Sequence, residues 1–167
     1  GGGLEWVENW KTYRNDKIGF EFKYPPEYKI NDSGSYFVQN FKSRPNPNHN
    51  GFSGVIINLG EYNWNKSFTV VIYRQDSVRP GYVITSLEEF AAYEAMGFGP
   101  NQKTEIDLGT EKGIRVKNTL LGSSSESTFS DEVFAFHDGI FFKVSSLSPG
   151  FPDPIYSRVL STFRFIK

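Results

Sequence analysis

His49 and His137 are the only imidazoles in this 167-residue chain, which contains no cysteine. That inventory restricts the available chemistry. Thiolate nucleophiles, disulfides and cysteine-ligated zinc are excluded, so a metal site would need histidine and carboxylate donors converging from several elements. His137 has Asp131, Glu132 and Asp138 near it in sequence, a set that could hold a metal weakly at a surface. The plainer reading is a solvated hairpin end, and no metal or cofactor is expected. Serines are plentiful, but no spacing marks a base and an orienting acid beside one, so no catalytic residue is assigned. Gly97-Phe-Gly-Pro100 opens like a dinucleotide loop, yet it follows a helical pattern, lacks the third glycine and leads into a strand. It reads as a helix-ending turn. The chain has neither a Gly-x-x-x-x-Gly-Lys phosphate loop nor a Gly-x-Ser-x-Gly elbow.

The residues best suited to contact a ligand or partner are Tyr62 and Trp64, which alternate with Asn63 and Asn65 on a turn-rich connector. Rings at a loop tip offer large area at low entropic cost, so they can stack on a sugar or fill a partner's pocket. The competing reading folds both rings back onto the sheet. Asn31-Asp-Ser33 and Asn65-Lys-Ser67 match the glycosylation triplet, a short pattern that recurs by chance.

Composition sets the frame for these residues. Apolar residues make up 38% and charged residues 22%, which fits a globular domain. The 16 Phe, 9 Tyr and 3 Trp mean that rigid rings fill much of the core. The net charge is −1, without a run of like charges, so nothing steers the chain toward nucleic acid or an anionic membrane. No apolar run approaches the roughly 20 residues of a membrane-spanning helix. The opening Gly1-Gly2-Gly3 reads as a processed or engineered end, ahead of which an export signal or lipid anchor could have been removed. Residues 1–11 are expected to form an arm, and 12–167 one domain.

Strands are expected at 12–13 and 20–24 around Asn15-Asp16-Lys17, and at 36–41. Lys42 to Ser53, rich in Pro and Asn, follows as a long polar loop. Val55 to Leu59 and Phe68 to Arg74 should pair across the connector that carries Trp64. Leu4 to Trp10 reads as a short helix. Ser86-Leu-Glu-Glu89 is a capping box ahead of a stripe of Leu87, Phe90, Ala91 and Ala95, predicting a helix over 87–96. Lys103 to Leu108 and Gly113 to Leu120 should form a hairpin around Gly109-Thr-Glu-Lys112, and Gly122 to Ser127 a flexible linker.

Asp138-Gly139 is the strongest hairpin signal. With those two residues as the turn, Val133, Ala135, Phe142 and Val144 share one face, and Phe134, Phe136 and Phe141 share the other. A pair that is apolar on both faces requires cover on both. Asp153, Pro154 and the stripe Ile155, Val159, Leu160 and Phe163 predict a closing helix that supplies one cover, with the helix at 87–96 supplying the other.

The ends of the chain then become informative. Tyr13-Arg14-Asn15-Asp16, Gly19-Phe-Glu-Phe-Lys-Tyr-Pro25 and Leu160-Ser-Thr-Phe-Arg-Phe165 together resemble the PsbP-like family. That family includes extrinsic photosystem II subunits, a nuclear-import relative that binds a small GTPase, and uncharacterised bacterial lipoproteins. The resemblance implies an α+β fold, an α/β/α sandwich with a central, mainly antiparallel sheet covered by helices on both faces. It carries over no catalytic set, because its motifs are packing devices. The function expected is a non-enzymatic, extracytoplasmic binding or docking domain for another protein or macromolecular complex. A small-ligand or carbohydrate-binding module using Tyr62 and Trp64 is the alternative, and an uncharacterised hydrolase the third reading.

Overall fold

The computed structural model describes residues 8–16, 18–31, 53–59, 67–74, 83–95, 102–121, 127–149 and 154–166. Within them run strands β1 (Lys11–Asn15), β2 (Phe20–Tyr24), β3 (Tyr28–Asn31), β4 (Ser53–Leu59) and β5 (Ser67–Arg74), then helix α1 (Leu87–Glu94). Strands β6 (Gln102–Leu108), β7 (Glu111–Leu121), β8 (Ser127–His137) and β9 (Ile140–Pro149), helix α2 (Pro154–Thr162) and strand β10 (Arg164–Phe165) follow. Seven strands form one sheet in the order β3-β4-β5-β9-β8-β7-β6, and three form another in the order β1-β2-β10. Every pairing in both is antiparallel, so the fold is α+β.

The β8–β9 hairpin follows from its turn. Asp138 and Gly139 take φ of 49° and 79°, the two left-handed conformations that a two-residue type I′ turn requires. The register they impose sets Ala135 opposite Phe142 and Val133 opposite Val144, as the sequence predicts, with Phe134 opposite Lys143. Because successive strand residues point to opposite faces, two apolar sets separate. Val133, Ala135, Phe142 and Val144 join Phe68, Val70 and Ile72 in one core cluster with Tyr156, Val159 and Leu160 of α2. Phe134, Phe141, Tyr73 and Val116 form the other with Phe90 and Ala91 of α1.

The local signals define α1 well. Ser86 Oγ accepts from Glu89 N at 3.1 Å, and Glu89 Oε2 accepts from Thr85 N at 3.4 Å, a capping box shifted by one donor. The helix stops at Glu94, because Ala95 is already extended with ψ of 133°.

Several boundaries differ from the sequence expectation. The β6–β7 turn is Gly109-Thr110 alone, with Leu108 opposite Glu111. Polar Glu111 and Lys112, which resemble loop residues, are tolerated at the start of a strand where side chains reach water. The segment after α2 reverses at Phe163, and Arg164–Phe165 pairs with Glu21 and Phe20 of β2, while Ile166 N donates to Gly19 O at 2.9 Å. The three-stranded sheet thus closes over the α2 side of the core, where Phe163 stacks on Phe20 at 5.5 Å and 7°. Trp10 is buried in the same cluster.

The expected strand at 36–41, the polar loop with His49 (apart from Ser53), Tyr62 and Trp64, the turn at 97–100, the linker (apart from Ser127) and the cap Asp153 lie outside the described residues; Ser53 and Ser127, expected in the loop and the linker, instead begin β4 and β8. So does the expected opening helix up to residue 7, including Trp6.

Candidate functional site

Clusters of charged side chains among the described residues join separate elements of the fold. The first ties α2 to the large sheet. Alternation along β7 and β8 puts Arg115 and Asp131 on the α2 side, one strand apart. There Arg115 Nε donates to Asp131 Oδ1 at 2.9 Å and Nη2 to Oδ2 at 2.6 Å, the bidentate geometry that a planar guanidinium favours. The same Nη2 donates to Ser157 Oγ on α2 at 3.0 Å, and the guanidinium lies 5.9 Å from the centre of the Tyr156 ring. Asp131 holds the Arg115 pKa above its usual value by this hydrogen bonding. Tyr156, fully buried, donates its hydroxyl to Val144 O. Burial, reinforced by the Asp131 charge, pushes its phenol pKa well up.

The second cluster ties α1 to the same sheet. Glu94 Oε2 accepts from Tyr73 Oη and from Lys143 Nζ, each at 3.2 Å. Burial first, then the Glu94 charge, raises the Tyr73 phenol pKa strongly, so this tyrosine stays protonated and donates its hydrogen bond to the carboxylate. Thr69 and Ser145, paired across β5 and β9, share a hydrogen bond of 2.6 Å nearby on the same face.

The third joins the ends of the chain. Glu21 on β2 is opposite Arg14 on β1 and Arg164 on β10. Its carboxylate takes an ion pair from Arg14 Nη1 at 3.5 Å and a hydrogen bond from Arg164 Nη2.

His137 is placed otherwise than the sequence grouping suggests. Asp131 is engaged by Arg115, and Glu132 points to the opposite face from Asp131, so neither converges on the imidazole with Asp138. The partner is Glu111, whose Oε1 lies 2.9 Å from His137 Nδ1 across the β7–β8 end. The ring also stacks on Phe165 at 4.3 Å and 18°. An imidazole against a carboxylate can relay a proton, but here the couple locks the hairpin end to β10. Among the described residues no group of three or more histidine and acidic side chains is arranged to hold a metal ion.

A shallow groove of about 300 Å³ runs between the start of α1 and β6–β7, lined by Leu87, Glu88, Lys103, Glu105, Lys112 and Ile114. Its acids and bases alternate, so it favours neither sign of ligand. Tyr62 and Trp64 belong to the connector outside the described residues, and the structure places neither. The clusters were missed in the sequence because each joins residues far apart along it. Parity alone could have flagged Arg115 and Asp131, two charges on the inward-facing side of adjacent strands.

This architecture is that of the PsbP-like fold, as two solved structures show. The first is the solution structure of the cyanobacterial PsbP protein CyanoP from Synechocystis sp. PCC 6803. It is 13% identical, with a TM-score of 0.55 over 94% of this chain and 92% of that one. The second, a crystal structure from Bacteroides thetaiotaomicron VPI-5482, is also 13% identical, with a TM-score of 0.58. The match covers 95% of this chain but spans about half, 49%, of the Bacteroides chain. No family model matches the sequence, and no curated protein does so. Among the described residues no helix is long and apolar enough to cross a membrane.

Proposed function

We propose that this chain is a non-enzymatic, extracytoplasmic docking domain, a single α/β/α sandwich whose helices α1 and α2 lie on opposite faces of the seven-stranded sheet. Its ligand is another protein or a macromolecular complex. The observation that carries this reading is the use made of the inward-facing charges: Arg115–Asp131 fastens α2 and Glu94–Lys143 fastens α1. Groups that an enzyme would aim at a substrate are instead committed to joining elements. The likeness to CyanoP over nearly the whole of both chains supports the same reading. Tyr62 and Trp64, on the connector between β4 and β5, are proposed as one contact with the partner.

The test is capture from a membrane and envelope extract of the native host with the purified domain as bait. A docking domain retains a defined complex at stable stoichiometry, and Trp64→Ala with Tyr62→Ala weakens the retention. A glycan or metabolite that shifts the melting temperature while nothing is retained would replace this reading with the ligand-module alternative. Turnover of an ester or peptide substrate would replace it with the hydrolase.

A further inference from the structure

The solvent face of the three-stranded sheet carries a cationic pattern centred on the cluster that joins β1, β2 and β10. On β2, Phe20 and Phe22 point inward and are fully buried, which turns Glu21 and Lys23 outward. Register then puts Arg14 and Arg164 on either side of Glu21, and Thr12 beside Lys23. Both arginines are largely in water, with side chains 53% and 72% exposed, while the carboxylate between them is 9% exposed. Lys23 N donates to Thr162 Oγ1 at 2.8 Å, so the end of α2 borders this face. Arg158, exposed and one helical turn before Thr162, extends the row. Among the described residues four cations thus meet two carboxylates here, Glu21 and Asp16, the latter accepting from Arg14 Nε at 2.7 Å, in a chain whose net charge is −1.

We propose that this face, centred on Arg14, Glu21, Lys23 and Arg164, is the docking surface for a carboxylate-rich protein surface. The inference rests on the docking reading above and names where the docking occurs. A protein partner fits better than an anionic bilayer for two reasons. Glu21 holds two guanidiniums in a fixed relation, and rigid forks suit bidentate carboxylates; membrane-surface segments instead combine flexible basic residues with apolar insertion. The large apolar side chains exposed among the described residues, Val83 and Tyr93, belong to the α1 region and not to this sheet.

The test uses the intact chain, labelled with nitrogen-15 and titrated with poly-L-glutamate and, separately, with phosphatidylglycerol vesicles. With poly-L-glutamate, the Arg14 and Arg164 side-chain resonances and the amides of β1, β2 and β10 should shift saturably and return as salt is added. Lys23→Glu and Arg158→Glu leave the Arg14–Glu21–Arg164 set intact, so they should fold. Each should weaken binding about tenfold, whereas Lys103→Glu, at the end of β6 away from the Gly109 turn that abuts Arg164, should not. Shifts centred elsewhere, equal losses in all three variants, or a preference for vesicles would overturn the proposal. If the complex captured from the host survives both Lys23→Glu and Arg158→Glu, docking stands and this face is not its site.

Discussion

Replacing Asp131 with alanine should be among the most damaging changes available in this domain. The substitution removes both acceptors of the Arg115 fork, at 2.9 and 2.6 Å, and leaves a guanidinium whose side chain is only 16% exposed. Breaking a buried ion pair from one side costs about 3–5 kcal/mol, because the surviving charge stays desolvated. Arg115 keeps Ser157 and a little water, so about 2–4 kcal/mol is expected here. With a urea m-value of about 2 kcal/mol per molar, the midpoint should fall by about 1–2 M. Urea unfolding followed by tryptophan fluorescence would measure it. The double variant R115M/D131L replaces both charges with apolar volume, and should lie within about 1–2 kcal/mol of the parent. The reasoning fails if Asp131→Ala costs under about 1 kcal/mol, or if the double variant is no more stable than the worse single one.

Other outcomes follow from the same packing. Phe90→Ala empties the space among Tyr73, Phe134 and Phe141, whose ring centres lie 5.6, 5.4 and 4.6 Å away; calorimetry should show a loss of about 3–5 kcal/mol. Gly113→Ala places a Cβ 2.8 Å from Phe134 O in the adjacent strand, so strand separation should cost about 1–3 kcal/mol. Gly139→Ala meets no atom within 4 Å and loses only its ease at positive φ, about 1 kcal/mol, so urea midpoints should rank Gly113→Ala below it. Tyr73 and Tyr156 have folded pKa values raised above that of an unfolded tyrosine, 10.0. Their contribution to stability is therefore complete below about pH 10 and declines above it, as the unfolded chain releases protons that the fold retains. Absorbance at alkaline pH should show both phenols ionising together with unfolding, and early ionisation of either in the folded protein would contradict the burial described.

Local chemistry was legible in the sequence wherever a few neighbouring residues decide the outcome. Asp138-Gly139 sets its own turn, and parity then carries the register along both strands, from His137 opposite Ile140 to Val133 opposite Val144. Ser86 and Glu89 likewise mark the start of α1. What escaped were pairings that no local pattern encodes. A two-residue strand such as Arg164–Phe165 has no periodicity, and its partner Glu21 is 143 positions earlier. The turn at Gly109-Thr110 was drawn too long, since strand ends in water accept polar residues as readily as loops do. Grouping Asp131 and Glu132 with His137 followed sequence nearness, although adjacent strand residues must face apart. Arg14, Glu21 and Lys23 were visible as charges alternating with aromatics, but only folding brings Arg164 beside them.

That small sheet links stability to the proposed function. Its inner side is held by rings: Phe163 stacks on Phe20 at 5.5 Å and on Phe22 at 6.0 Å, and Tyr13 stacks on Phe22 at 5.3 Å. Its outer side holds the arginines. Strand alternation makes each requirement serve the other, because every ring buried beneath fixes the backbone from which a charge projects above. Long cationic side chains on a flexible support would lose much of their binding free energy to ordering. Here the aromatic layer and Glu21 have already restricted Arg14 and Arg164 before any partner arrives. The central strand β2 lies between the N-terminal β1 and the C-terminal β10, so the face exists only when both ends of the described chain are folded together. A docking surface built this way is presented by the folded domain and withdrawn from the unfolded chain, which ties recognition to the integrity of the whole fold.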